Sequence, residues 1–191
     1  MSADPAARAA RFRALHRAPG AFVMPNPWDA GSAKALEALG FKALATSSGA
    51  SAGVLGRRDG QVSRDEALAH ARLIVQATGL PVSADLEKGF GDDPDTVAQT
   101  IAMAGETGLA GASIEDASGD PSHPIYDFTL AIERVAAAAE AVRRLPVPFV
   151  LTARTENFLH GRADLDDTIR RLQAFEQAGA EVLFAPGLPD L

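Results

Sequence analysis

Short apolar runs alternate with longer stretches of helical periodicity along most of this chain. Residues 5–18 are rich in Ala and Arg, with Phe12 and Leu15 at i, i+3, and predict a leading helix stopped by Pro19-Gly20. Ala21–Pro25 then predicts a first strand, and Asp29 the cap of a helix that runs to Leu39 and ends at Gly40. Further strands are predicted over 41–48, 80–85, 110–115, 148–154 and 181–186. Between them, Ser63-Arg64-Asp65-Glu66 forms a capping box, and Asp93-Pro94 supplies an N-cap with proline at the first helical position. Helices are predicted within 127–144 and over 164–178, the latter ended by Gly179. Gly49–Gly60 reads as a small-residue, basic loop.

Six strands, each but the last followed by a helix, predict a parallel α/β fold. The strand segments show little polar alternation, as expected when both sheet faces are covered. The architecture is either an open doubly wound sheet or a (β/α)8 barrel, which typically needs about 250 residues. A chain of 191 residues with no linker or composition shift reads as one domain, 1–191, that stops short of a barrel's last two βα units.

Composition narrows the function. A net charge of -7 argues against non-specific nucleic-acid binding. With no cysteine, disulfides, thiolate metal sites and a cysteine nucleophile are excluded. No apolar run approaches the ~20 residues of a membrane span, and the first residues lack a signal-peptide pattern. The expectation is a soluble cytoplasmic protein.

In parallel α/β folds ligands bind at the C-terminal ends of the strands. Those ends carry Asn26 and Trp28; Thr46-Ser47-Ser48-Gly49; Asp85 and Glu87; Glu115 and Asp116; Arg154, Glu156 and Asn157; and Pro186-Gly187. Carboxylates at two neighbouring strand ends are hard oxygen ligands suited to Mg²⁺ or Mn²⁺. Helix capping or surface pairing is the competing reading; it suits Asp92 and Asp93 but suits Asp85 poorly, because the next helix starts about nine residues later. The Ser47–Gly49 turn offers backbone N–H groups as an anion cradle, or is an ordinary turn. Arg154 would take a carboxylate or phosphate bidentately, or pair with Glu115 or Glu156. Gly49-Ala50-Ser51-Ala52-Gly53 matches a nucleophile elbow with Ser51 as a serine-hydrolase nucleophile, but the helix such an elbow requires is not predicted after it. Gly89-Phe90-Gly91 lacks the third glycine of a dinucleotide fingerprint. His16 and His70 read as helix-surface residues. His123 and His160 lie in βα loops; His123 is a candidate to reach a substrate, with a solvated loop histidine as the alternative.

Taken together and in this order, Thr46–Gly49, Gly56-Arg57-Arg58-Asp59-Gly60, Ser83–Gly91, Ile114-Glu115-Asp116 and Thr152-Ala153-Arg154-Thr155-Glu156 resemble the isocitrate lyase/phosphoenolpyruvate mutase superfamily, from about Phe22 onward. The resemblance implies a (β/α)8 barrel in homodimers or homotetramers, and Mg²⁺ held by Asp85, Glu87 and Glu115. It implies catalytic roles for Asp59, Glu115 and Arg154, with Asp59 approaching from a mobile loop. It also implies a 2-oxo acid bound by Ser47, Ser48 and Gly49, with Arg154 on its carboxylate. Three departures stand out. The loop Ala117–Pro124 holds no cysteine where lyases of the family carry one as acid/base; Glu87 stands where many members have Asp; and Pro186-Gly187 stands where lyases place a glutamate. The chain is therefore closer to the mutase, hydrolase or oxaloacetate-decarboxylase branch. The expected activity is C–C or P–C cleavage of a 2-oxo acid or phosphonate through a pyruvate enolate; a barrel that binds a 2-oxo acid without turning it over is the alternative.

Overall fold

The computed structural model describes residues 4–189. Among the described residues, seven helices and five strands follow one another as α1 (Pro5–Arg17), α2 (Ala30–Ala38), β1 (Leu44–Ala45), α3 (Ser48–Val54), α4 (Arg64–Ala77), β2 (Val82–Asp85), α5 (Pro94–Gly105), β3 (Gly111–Glu115), α6 (Phe128–Arg143), β4 (Val150–Arg154), α7 (Leu165–Ala178) and β5 (Val182–Phe184). The strands form one parallel sheet in sequential order, β1-β2-β3-β4-β5. A doubly wound sheet reverses its strand order at a switch point. The unreversed order here is that of a barrel wall, so the fold is consistent with part of a TIM-type barrel.

Local chemistry explains most boundaries. Ser63 and Glu66 close a reciprocal capping box at α4, and Asp93 caps α5 with Pro94 at its first position. Gly179 ends α7 in the left-handed region at φ +112°. A side chain there would be doubly penalised, since its Cβ would lie 2.9 Å from that of Ala139.

Two of the expected elements differ. Ala21–Pro25 forms no strand: its one ladder-like bond is Ala45 N–H to the Pro25 carbonyl, 3.1 Å. Pro25 has no N–H to return a bond to β1, so the pairing stops at that single contact. And Gly49–Gly60 is not all loop, because α3 occupies its first part. Two glycines and no apolar periodicity hide that helix, yet the Ser47 hydroxyl caps it by accepting the Ala50 N–H at 3.3 Å.

The main core lies between the sheet and its helices. Leu44, Val82, Ala84, Ala112, Ile114, Leu151 and Ala153 pack against Leu68, Ile74, Val97, Ile101, Val135 and Phe175. A smaller cluster of Ala9, Phe12, Ala43, Ala110 and Val150 places α1 across the end where the strands begin. Both ends of the sheet thus have distinct surroundings, and the C-terminal ends of the strands remain open for chemistry.

Candidate active site

The strands do alternate, contrary to expectation. Val82-Ser83-Ala84-Asp85, Ala112-Ser113-Ile114-Glu115 and Leu151-Thr152-Ala153-Arg154 each read apolar, hydroxyl, apolar, charged. Successive residues face opposite sides, so the apolar set enters the core and the hydroxyl and charged set shares the other face. Register aligns them: Asp85 stands beside Ser113 and Ser113 beside Thr152, while Glu115 stands beside Arg154 and Arg154 beside Phe184. A cavity of about 320 Å³ opens on this face, lined by Asn26, Thr46, Ser47, Ser83, Asp85, Ser113, Thr152, Arg154 and Phe184 among others.

Asp85 is tied to its surroundings. Its Oδ2 accepts the Ser48 N–H at 3.1 Å, its Oδ1 accepts the Glu87 N–H at 3.1 Å, and its own N–H donates to Thr46 Oγ1 at 3.0 Å. Glu87 follows in the left-handed region at φ +50°, as does Phe90 at +64°. That conformation costs a non-glycine residue of order 1 kcal/mol. The Glu87 carbonyl accepts the Glu115 N–H at 3.0 Å, which brings the two glutamates onto adjacent backbone. The loop after Glu87 is gripped from α6: the buried Arg134 guanidinium donates to the carbonyls of Lys88, Gly91 and Asp92 and stacks over the Tyr126 ring.

The acids crowd one another. Burial and the neighbouring charges of Asp59 and Asp85 push the Glu87 carboxyl up to about 7. Burial, Glu156 and Asp85 push Glu115 up to about 8, against the opposing pull of Arg154. Arg154 reaches Glu115 with its Nε at 3.8 Å, hydrogen-bonds Glu156 through the same nitrogen, and lies over the Phe184 ring. The carboxylate of Asp59 sits over Gly49, where an added Cβ would be 3.4 Å from its Oδ2.

The structure therefore gathers Ser47, Ser48, Gly49, Asp59, Asp85, Glu87, Glu115 and Arg154 at one mouth. Two residues named with them do not line this cavity. Trp28 is largely exposed and contacts His70 Nε2 through its carbonyl, 2.8 Å. His123 has a side chain 86% exposed and lines a separate depression of about 480 Å³ with Ser118, Tyr126 and Arg162. Ser48 has its N–H committed to Asp85, so less of the expected anion cradle is free. Ser51 lies inside α3 rather than at the turn before it; it is buried and its Oγ has no hydrogen-bond partner, an arrangement without the base a hydrolytic serine needs. Asp116, paired with Glu115 in the sequence, turns away from the mouth into a buried hydrogen-bond network. Glu156 is the residue local pattern undervalues: only 4% of its side chain is exposed, and it holds Arg154.

A parallel α/β wall with acids and an arginine at the C-terminal ends of consecutive strands defines a barrel-type protein built around an acidic, oxygen-rich centre. Residues 12–191 match the family model described as phosphoenolpyruvate phosphomutase, and the chain belongs to that family, within the phosphoenolpyruvate mutase/isocitrate lyase superfamily. It is 57% identical to a candidate lyase/mutase of Burkholderia cenocepacia J2315, whose crystal structure superposes with a TM-score of 0.95 over 97% of this chain and 66% of that one. It is 34% identical to the 2-methylisocitrate lyase of Escherichia coli K12 over 160 residues, 80% of this chain and 53% of that protein. The structure of oxaloacetate acetylhydrolase in complex with its product oxalate superposes with a TM-score of 0.89 at 29% identity, over 98% of this chain and 66% of that one. The chain spans between about half and two thirds of the length of the curated relatives it matches. No helix among the described residues is long and apolar enough to cross a membrane.

Proposed function

We propose that the protein is a Mg²⁺-dependent enzyme that cleaves a C–C or P–C bond in a small 2-oxo acid or phosphonate, of the oxaloacetate-decarboxylating kind, as part of a (β/α)8 barrel. The observation that carries this reading is the clustering of Asp85, Glu87 and Glu115 with Arg154 at the C-terminal ends of β2, β3 and β4, where Asp85 and Arg154 line the cavity. Oxaloacetate, the 2-oxo acid in the name of one structural relative, supports the substrate class.

The donor set fits a hard divalent ion. Among the described residues no three acids or histidines stand as a ready-made cage. Mg²⁺ does not require one, since it keeps several waters and takes one or two carboxylates. Asp85, Glu87 and Glu115 would hold it, and the burial and neighbouring carboxylates that raise both glutamates mark a place where a dication is favoured. The chemistry a divalent ion supplies at such oxygens is electron withdrawal from a chelating oxo acid.

The remaining work falls to the chain. Arg154, fixed by Glu156, orients the substrate carboxylate and adds positive charge where an enolate develops. Asp85, locked by two N–H donors, presents its outer lone pairs in one geometry. Asp59, on the turn above Gly49, is positioned to move a proton at the mouth. Phe184 and Met24, with Ala45 and Ala84, supply the apolar part of the cavity wall.

The test is pyruvate release from a panel of 2-oxo acids and phosphonates, with Mg²⁺ and with EDTA. Asp85→Ala or Glu115→Ala should reduce turnover to the rate of the metal ion alone. Unchanged turnover in either variant would exclude the metal role, and no product above the metal-only rate from any substrate would leave a binding protein as the correct reading.

A further inference from the structure

We infer that Asp116 and Arg171 are positioning residues for Arg154: they fix the turn that carries the Arg154–Glu156 pair, from behind the cavity. The inference rests on the reading of Arg154 as the carboxylate anchor.

Asp116 is 2% exposed and follows Glu115 directly, yet its polar atoms bond to residues 154–156, Tyr126 and Arg171. Its N–H donates to the Arg154 carbonyl at 3.1 Å, and its carbonyl accepts the Tyr126 N–H at 2.9 Å. Its Oδ1 accepts the Glu156 N–H at 2.8 Å; its Oδ2 accepts Thr155 Oγ1–H and Arg171 Nη1–H, each at 3.1 Å. Three consecutive residues, Arg154, Thr155 and Glu156, are thus bonded to one aspartate across the strand gap.

Arg171, also 2% exposed, completes the clamp from α7. Besides Asp116 it donates to the Tyr126 carbonyl at 3.0 Å and, through Nε, to Asp167 Oδ2 at 2.8 Å. Asp167 in turn accepts from Asn157 Nδ2 at 3.0 Å, and the Thr155 N–H donates to the Phe184 carbonyl at 3.0 Å. Residues 154–157 are therefore held by β3, β5 and α7 together.

Stability alone is a poor reason for this arrangement. A buried ion pair can often be replaced by packed apolar side chains at no loss, whereas directional donors and acceptors are what fix a geometry. The geometry fixed here is that of Glu156, whose carboxylate takes the Nε of Arg154 and so sets the plane of the guanidinium at the cavity.

The experiment compares the wild type with Arg171→Met, Arg171→Lys and the surface control Arg143→Met. Three quantities are read: the affinity for Mn²⁺ alone, the affinity for oxalate in saturating Mn²⁺, and the NMR resonance of the Arg154 Nε–H, assigned with Arg154→Lys. Arg171→Met should leave Mn²⁺ binding within a factor of about two and weaken oxalate by roughly tenfold, the scale seen when a supporting hydrogen bond behind a site is lost. The Arg154 resonance should shift or broaden. Arg171→Lys should recover part of both, and Arg143→Met should change neither. If Arg171→Met lowers the melting temperature but leaves oxalate binding and the Arg154 resonance as in the wild type, the role is structural only and the inference is wrong. Should Arg171→Met not fold, Arg171→Lys and Asp116→Asn at reduced temperature give the same comparison. If the wild type itself binds no oxalate, the proposed function fails, while the Arg154 resonance still decides the positioning role.

Discussion

The same three strands present two faces that obey opposite rules. On one, Val82, Ala84, Ala112, Ile114, Leu151 and Ala153 are buried to within 2% exposure and pack under the helices. On the other, Ser83, Ser113 and Thr152 give way to Asp85, Glu115 and Arg154 at the cavity mouth. The first face lowers the free energy of the fold by removing apolar area from water. The second raises it, since it gathers like charges and lifts two carboxyls into the neutral range. Such concentrated local cost, with φ +50° at Glu87 beside it, is the mark of a site retained for what it binds.

The comparison can be broken first where it is strongest. Leu151→Ala, on the packed face, should destabilise the protein by about 2–5 kcal/mol in chemical denaturation, through cavity formation. Glu115→Gln, one strand away on the other face, should do the reverse in EDTA: it removes a repelled carboxylate and should raise the melting temperature above pH 7 while abolishing stabilisation by Mg²⁺. A drop in ion-free stability for Glu115→Gln would mean that the acid is held by favourable contacts instead. Glu87→Gly removes the carboxylate and the left-handed strain together: ion-free stability should stay within about 1 kcal/mol of the wild type, with Mn²⁺ affinity reduced. The smallest effect is expected of Ser113→Ala, within about 0.5 kcal/mol, because a half-buried hydroxyl on the cavity wall supports neither the core nor the charge cluster.

Much of the fold could be read from local chemistry. The Ser63–Glu66 capping box, Asp93-Pro94 and the Gly179 stop are one-dimensional signals, and the helices they bound lie where expected. The second face was harder to see, because Ser, Ala and Thr are small and weakly polar and blur the period-two pattern between Val82 and Asp85. Helix α3 escaped because Ser47 caps a glycine-rich run with no apolar stripe. Asp85, Glu115 and Arg154 stood out because charged residues that end apolar runs are conspicuous. The Arg154–Glu156 pair was legible as a local alternative, whereas the part played by Asp116 was hidden, since its partners lie up to 55 residues away in the chain.

The central claim is that the charge gathered at the mouth is there for a divalent ion, and the linkage of stability to pH and Mg²⁺ tests it most directly. Glu87 and Glu115 have native values near 7 and 8, above the ordinary 4.5 of the unfolded chain. Between those limits the folded protein binds more protons than the unfolded one, so ion-free stability is highest at the acid end and falls as pH rises through about 8. Thermal unfolding from pH 5 to 8.5 should therefore show a melting temperature that declines in EDTA. Mg²⁺ should restore it by an increment that grows with pH and vanishes in Asp85→Ala. Identical curves with Mg²⁺ and EDTA would contradict the account.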